Sequence, residues 1–211
     1  MFFAFEGLDG AGKSTQIELL ITHLQNQSSI DVSQGIVTCR DPGSTPTGEA
    51  VRALLLDPAS KIGMMSEMLL YMAARAQLVD EIIRPALEAG KVVISDRFLL
   101  SNVVYQGHAG GIARDEIWRI GGVATGGLLP RLTFVLDLPP EESHKRLNRP
   151  PDRLESRGDE FRAQVRNGFL AEAAAFPERI LVIDAARPIE VVHQEIAAAA
   201  LAALEGNSDS S

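Results

Sequence analysis

The feature that most constrains the fold is a short glycine-rich segment, Gly7-Leu8-Asp9-Gly10-Ala11-Gly12-Lys13-Ser14. It matches the pattern G-x-x-x-x-G-K-[ST], and an apolar run at 2–5 leads straight into it while an amphipathic pattern follows from Lys13. Glycines let the backbone curl so that successive N–H groups point at phosphate oxygens, and the N-terminus of the following helix adds partial positive charge. The segment therefore predicts a strand–loop–helix unit that binds a nucleoside triphosphate.

Two side chains of this loop are candidates for the chemistry. Lys13 supplies a mobile positive charge for the β- and γ-phosphates, and the hydroxyl of Ser14 is a candidate ligand for Mg²⁺. The loop alone indicates triphosphate binding and does not say what the energy is used for.

Short apolar runs alternate with longer helical patterns along the chain. Strands are predicted at 2–6, 35–39, 91–95, 132–138 and 180–183, and helices from 13 onward and at 47–56, 66–89, 115–120, 141–147, 159–175 and 189–204. Because these strands are too apolar for a half-exposed sheet, the pattern predicts an α/β fold with a parallel sheet between helices. We expect one domain over 1–204, with a mobile loop at 148–158 and a flexible tail at 205–211.

Composition narrows the possible partners and the compartment. The net charge of −8 argues against general nucleic-acid binding, which needs a basic surface. No apolar stretch approaches a membrane span, and the N-terminus lacks the pattern of a signal peptide. The single cysteine, Cys39, excludes an internal disulfide and is expected to be a small buried residue at the end of a strand. We therefore expect a cytoplasmic protein.

A second polar pair, Asp96 and Arg97, follows the apolar run at 92–95. Ligands of open parallel sheets bind beyond the carboxyl ends of the strands. Asp96 is therefore a candidate Mg²⁺ ligand, directly or through water, and Arg97 a candidate bridge between donor and acceptor phosphates. A structural Asp–Arg pair that caps the strand is the alternative.

Further arginines are placed where two anionic substrates would need them. Arg40 follows a predicted strand, Arg75 lies within a predicted helix, and Arg149, Arg153 and Arg157 lie in the loop at 148–158. A closing loop that carries arginines would neutralise charge and exclude water. Each arginine taken alone could instead be a solvated surface charge. The chain has no N-K-x-D element, which argues against a guanine-reading switch protein.

Three methionines, Met65, Met68 and Met72, recur at helical spacing. They indicate either a subunit interface or flexible filler of the core, and the spacing does not decide between the two.

Taken in order, the motifs resemble those of bacterial thymidylate kinases over nearly the whole chain, from Phe2 to Ile189. The matching segments are 7–14, 40–45 (R-D-P-G-S-T), 71–77, 96–98 and 101–107. The resemblance implies a P-loop fold of the nucleoside monophosphate kinase type, with a five-stranded parallel sheet and a short arginine-bearing lid at 148–158. It also implies transfer of a phosphoryl group from ATP to dTMP, with Mg²⁺ present, in a homodimer.

The resemblance also implies roles for particular residues. ATP would be bound by Gly7, Leu8, Asp9, Gly10, Ala11, Gly12, Lys13, Ser14 and Thr15, and Mg²⁺ by Ser14 and Asp96. Adenine would lie near the loop at 184–188. The catalytic group would comprise Lys13, Arg97, Asp9, Arg149 and Arg153. The substrate would be bound by Asp9 at the 3′-hydroxyl, Arg40 at the phosphate, Tyr71 and Arg75 at the base, and by Arg97, Ser101, Asn102, Tyr105 and Gln106, with Tyr105 crowding the 2′ position.

The chain departs from the family pattern at Asp41, Ser44, Tyr71 and Phe98, which bears on fine substrate preference more than on the reaction. Two other functions remain open from the sequence. A deoxynucleoside kinase shares the P-loop but has no use for a phosphate site at Arg40. An ATP-driven switch module would hydrolyse ATP slowly without an acceptor.

Overall fold

The structure is a computed structural model that describes residues 1–27, 32–147, 153–154 and 157–206. Its centre is a five-stranded parallel sheet in the order β2-β3-β1-β4-β5. The strands are β1 (Phe2–Gly7), β2 (Ile36–Arg40), β3 (Val92–Asp96), β4 (Leu132–Asp137) and β5 (Ile180–Asp184). The predicted α/β class and the five-stranded parallel sheet are confirmed.

Helices cover both faces of this sheet. They are α1 (Lys13–Gln25), α2 (Pro46–Leu56), α3 (Met64–Leu78), α4 (Arg84–Glu88), α5 (Leu99–Asn102), α6 (Arg114–Thr125), α7 (Pro140–Lys145), α8 (Asp159–Ala175) and α9 (Ile189–Glu205). Two π-helical segments, Val79–Ile83 and Val103–His108, continue α3 into α4 and extend α5. No helix among the described residues is both long enough and apolar enough to span a bilayer.

Side chains alternate between the two faces of the sheet along β1, and each set packs into the hydrophobic core on its own face. Phe3 and Phe5 point to the face covered by α1 and α9, whereas Phe2 and Ala4 point to the face covered by α3 and α6. All four side chains are nearly or fully buried. Because both faces of β1 are covered, the strand is apolar at every position up to Glu6, and it holds the loop that follows in a fixed place.

The helix predictions differ from the structure mainly at boundaries. The predicted helix at 66–89 is a continuous helical run from Met64 to Glu88, with the π-helical segment in its middle. The predicted helix at 115–120 extends to Thr125, where Gly126 adopts a positive φ of 59° and ends it. The helical run 99–108 was suggested only by the family resemblance, because its polar residues Asn102 and Gln106 are buried with the apolar ones and mark no exposed face. Helix α9 continues one residue past the predicted domain end, and 207–211 of the predicted tail lie outside the described residues.

Candidate active site

The site lies at the carboxyl edge of the sheet, where the loops after β1, β2 and β3 meet. Strand pairing places Phe5 beside Asp96, and Arg40 beside Asp96 on the other side. The loop after β1 therefore faces Asp96 and Arg97 at the carboxyl end of β3, as expected for an open parallel sheet.

The glycine-rich loop is held in its curl by close backbone contacts. Gly7 has a φ of 126°, and a Cβ there would lie 2.5 Å from the Leu136 carbonyl oxygen. Gly10 has a φ of 83°, and a Cβ would lie 2.6 Å from the carbonyl oxygen of Ser143. Both positions exclude any other residue on steric grounds as well as by their backbone conformation.

The side chain of Lys13 folds back against the glycine-rich loop. Its Nζ donates to the carbonyl oxygen of Leu8 at 3.1 Å and lies 3.6 Å from the Asp9 carboxylate, and the side chain is only 7% exposed. Burial lowers the pKa of Lys13, and the nearby Arg97 guanidinium lowers it further. Ser14 and Thr15 are exposed at the start of α1, where they are accessible to a ligand.

Arg97 lies at the centre of the site in a constrained conformation. Its φ is 69°, in the left-handed region that non-glycine residues rarely adopt and that is often found at functional positions. Its guanidinium donates to Asp9 at 2.8 Å and to the Ser101 hydroxyl at 3.0 Å, and it lies 5.3 Å from the ring centre of Tyr105. These contacts fix the direction of its remaining donors.

Glu6, the last side chain of β1 before the glycine-rich loop, lies beside Arg97. It was not singled out as a site residue from the sequence. It is fully buried and accepts hydrogen bonds from the Phe98 and Ser101 backbone N–H groups and from the Ser101 hydroxyl. Its carboxylate is 3.7 Å from Arg97. Burial raises the pKa of Glu6, while Arg97 and Ser101 oppose that shift. A single glutamate ending an otherwise apolar strand was the signal that could have revealed it.

A cavity of about 310 Å³, which we call the strand-edge cavity, opens beside this cluster. Eight of the nine residues expected to bind the acceptor line it: Asp9, Tyr71, Arg75, Arg97, Ser101, Asn102, Tyr105 and Gln106. The aromatic, amide and guanidinium groups are therefore gathered around one space large enough for a small ligand.

Arg75 is held in the wall of this cavity by Asp41. The Nε of Arg75 lies 2.5 Å from the Asp41 carboxylate, and neither side chain is more than 1% exposed. A further donor of Arg75 reaches the carbonyl oxygen of Phe98 at 3.3 Å. Burial raises the pKa of Asp41, and the guanidinium of Arg75 opposes that shift.

Arg40, expected from the resemblance to bind the acceptor phosphate, is not among the residues that line the strand-edge cavity. Arg40 pairs with Glu49 at 3.0 Å and is 46% exposed, because Glu49 lies at the start of α2 directly across from it. Arg52, one turn further along α2, lines the cavity instead and donates to the Pro42 carbonyl oxygen. Helical spacing from Glu49 places Arg52 on the neighbouring turn, but the sequence gives no sign of which arginine faces inward.

Arg149 and Arg153 are the two lid residues that the resemblance assigns to the catalytic group. Arg149 lies outside the described residues. Arg153 pairs with Glu67 at 2.6 Å and donates to the Leu55 carbonyl oxygen at 2.7 Å, so it is not gathered with Lys13 at the glycine-rich loop. Leu154 lines the strand-edge cavity, which brings the 153–154 segment over that space.

A second cavity, of about 370 Å³, lies on the other side of the glycine-rich loop, and we call it the P-loop cavity. It is lined by Gly10, Ala11, Gly12, Thr15, Gln16, Arg146, Ala185, Arg187, Ile189 and Val192. The expected adenine loop at 184–188 therefore contributes to it. Arg146 and Arg187 were not singled out in the sequence, where nothing distinguishes them from surface arginines.

The side chain of Asp96 carries a buried oxygen, Oδ1, that has no hydrogen-bond partner in the described chain. A carboxylate oxygen left unpaired beside a phosphate-binding loop fits a hard cation such as Mg²⁺. Ser14, which is exposed at the start of α1, is a candidate for a second oxygen ligand through its hydroxyl.

Comparison with known proteins identifies the family of this chain. A family model described as thymidylate kinase matches residues 5–196. A thymidylate kinase of Symbiobacterium thermophilum is 47% identical, with 93% of this chain and 90% of the relative covered. One from Chlorobium chlorochromatii is 43% identical, with 94% and 93% covered. The crystal structure of thymidylate kinase from Ehrlichia chaffeensis superposes with a TM-score of 0.72 at 34% identity, over 93% of this chain and 95% of that one. The chain belongs to the thymidylate kinase family.

Proposed function

We propose that the protein transfers the γ-phosphoryl group of ATP to dTMP, giving ADP and dTDP. The observation that carries this proposal is the pair of cavities on either side of the glycine-rich loop. Asp9 lines the strand-edge cavity and the adjacent Gly10 lines the P-loop cavity. An acceptor in the first and ATP in the second would therefore meet at the loop that binds phosphates.

The lining of the strand-edge cavity supports a pyrimidine monophosphate as its occupant. Tyr71 offers an aromatic face to a planar base, and Arg75 offers N–H donors to a base carbonyl. Asn102 presents a buried amide oxygen, Oδ1, that has no partner in the described chain and can accept from a ring N–H. Arg52 and Arg97 are the guanidinium groups available to the acceptor phosphate.

In-line transfer requires an oxygen of the acceptor phosphate to attack the γ-phosphorus while the bond to the bridging oxygen of ADP breaks. Lys13 and Arg97 would neutralise the negative charge that gathers on the transferred group. Asp9 would orient the acceptor sugar while holding Arg97 at 2.8 Å. Ser14 and Asp96 would hold Mg²⁺, which supplies further positive charge at the phosphates.

The fixed position of the Tyr105 ring in the strand-edge cavity supports selection of a deoxyribose sugar. Tyr105 packs edge-on against Phe161 and Phe169 and beneath Arg97, so it has little room to move. A 2′-hydroxyl would meet this fixed ring, which disfavours ribonucleotides by steric exclusion.

We also propose a cytoplasmic homodimer, following the family resemblance. Leu54, Met65 and Leu69 of α2 and α3 are each exposed by nearly half, whereas Met68 and Met72 are buried in the core. A face of this kind supports a subunit contact. Sedimentation of wild type and of Leu69→Glu tests it: the variant is expected to be monomeric, and two identical profiles would contradict the contact.

The experiment that tests the function is ADP release with a panel of acceptors: dTMP, dUMP, dCMP, dGMP, AMP and thymidine. We expect dTMP to have the highest kcat/KM and thymidine to be inert. Activity on thymidine but not on dTMP would favour a nucleoside kinase, and an ATP consumption rate independent of any acceptor would favour a switch module. Lys13→Ala is the control that excludes a contaminating kinase.

A further inference from the structure

Three buried polar side chains form a hydrogen-bonded row, and two of them, Asn102 and Gln106, line the strand-edge cavity. Glu67 of α3 is fully buried, and Gln106 and Asn102 are each 1% exposed. Gln106 Nε2 donates to Glu67 Oε1 at 2.7 Å, and Asn102 Nδ2 donates to Gln106 Oε1 at 2.8 Å. Asn102 Oδ1 is buried and has no protein partner in the described part of the chain.

The direction of this row is set at its Glu67 end. Arg157 donates to Glu67 Oε2 at 2.5 Å, and the guanidinium of Arg153 forms an ion pair with the same oxygen at 2.6 Å. A carboxylate paired with two guanidinium groups can only accept hydrogen bonds. Gln106 must then turn its NH₂ toward Glu67 and its oxygen toward Asn102. Asn102 must in turn donate to that oxygen, which leaves its own Oδ1 without a protein partner in the described part of the chain, in a residue that lines the strand-edge cavity.

We infer that Glu67 is a positioning residue that sets the hydrogen-bonding polarity of the base pocket. By fixing two amides in sequence, it makes Asn102 present an acceptor and not a donor. Such an acceptor favours a base with a ring N–H, as in the imide of thymine or uracil, over cytosine, whose corresponding ring nitrogen is itself an acceptor. This inference rests on the proposed function, because it assumes a pyrimidine monophosphate in the strand-edge cavity.

The decisive variant is Glu67→Gln, because glutamine has nearly the same shape as glutamate but carries an NH₂ group that can donate hydrogen bonds. Its NH₂ can bond to Gln106 Oε1, so that Gln106 turns and donates to Asn102 Oδ1, and the NH₂ of Asn102 faces the cavity. One mismatched hydrogen bond at a buried site corresponds to roughly a tenfold to hundredfold change in discrimination. We expect the ratio of kcat/KM for dTMP over dCMP to fall by at least about tenfold, mainly through a higher KM for dTMP.

Two controls separate polarity from general damage. Glu172 is also buried at 1% exposure and accepts from His108, Arg114 and Trp118, away from the strand-edge cavity. Glu172→Gln should therefore perturb stability as Glu67→Gln does while leaving the dTMP-to-dCMP ratio unchanged. Arg157→Gln removes one ion pair to Glu67 without giving it a donor, and the ratio should again be unchanged.

A spectroscopic readout reports on the same hydrogen bond without turnover. With dTMP labelled with ¹⁵N at N3, the bound wild type should show an imino proton protected from solvent exchange, and Glu67→Gln should lose that protection. If Glu67→Gln fails to fold, as judged by circular dichroism, Gln106→Leu breaks the same row at its middle and should also lower the ratio.

The outcomes distinguish this inference from the function on which it rests. A wild type that does not prefer dTMP among the monophosphates overturns the proposed function. A wild type that prefers dTMP, with an unchanged ratio in folded Glu67→Gln or Gln106→Leu, overturns the role of Glu67 alone. A ratio that falls equally in Glu172→Gln also overturns it, because the effect is then not specific to the row.

Discussion

Replacing Asp41 by alanine should destabilise the fold severely. The change leaves the guanidinium of Arg75 buried at 1% exposure without the carboxylate that lies 2.5 Å away. Removing one partner of a buried ion pair costs about 3–5 kcal/mol, because the other charge stays desolvated. This is a large share of the roughly 5–15 kcal/mol by which proteins are stable. For a chain of this size it corresponds to a fall in Tm of about 6–20 °C.

Urea unfolding followed by circular dichroism and by the fluorescence of the single tryptophan, Trp118, measures this loss. The matched control is Glu178→Ala, which breaks the exposed ion pair to Arg179, where the two side chains are 64% and 34% exposed. That pair should contribute less than about 1 kcal/mol. If Asp41→Ala were no more destabilising than Glu178→Ala, the Asp41 carboxylate would not stabilise the buried guanidinium of Arg75.

Four further outcomes are expected. Lys13→Ala should lower kcat for ADP release by at least about a hundredfold with an unchanged circular dichroism spectrum, because it removes charge needed at the transferred group; a kcat near that of wild type would contradict this role. Arg52→Gln should raise the KM for dTMP about tenfold or more while Arg40→Gln changes it little, and the reverse order would restore the sequence expectation. Tyr71→Ala should act mainly on the KM for dTMP, so unchanged kinetics would remove Tyr71 from the site. Burial raises the pKa of Cys39 to about 12, so only about one thiol in ten thousand is ionised at pH 8; Ellman's reagent should label it after unfolding and not before.

The fold could be predicted from the sequence because the features that specify it lie within short segments of the chain. Each strand is a short apolar run, and the glycine-rich loop fixes how the first strand joins its helix. The helical run 99–108 carried no such signal, since its polar residues Ser101, Asn102 and Gln106 line a cavity and do not form a solvent-exposed stripe. Helix boundaries also shifted where a glycine or proline outside the apolar pattern ended or began the element.

The site was less accessible, because tertiary contacts decide which arginine faces which cavity. Arg40 stands at the end of β2, as the sequence indicated, but Glu49 pairs with it at the surface and Arg52 lines the cavity. Glu67 shows the same limit more strongly. Its partners lie 39 residues away at Gln106 and 90 residues away at Arg157, and no local pattern relates them.

The buried carboxylates in and near the wall of the strand-edge cavity share one physical role. Glu6, Asp41 and Glu67 are each at most 2% exposed, and each contacts a guanidinium, as with Arg97 at 3.7 Å and Arg75 at 2.5 Å. Such pairs add little net stability, because desolvating both charges offsets their attraction. Their value lies in orientation: an arginine already held in place loses less freedom when it meets an anionic substrate, and less reorganisation remains for the transition state. In a chain of net charge −8, these acidic residues are therefore part of how the site binds two anions.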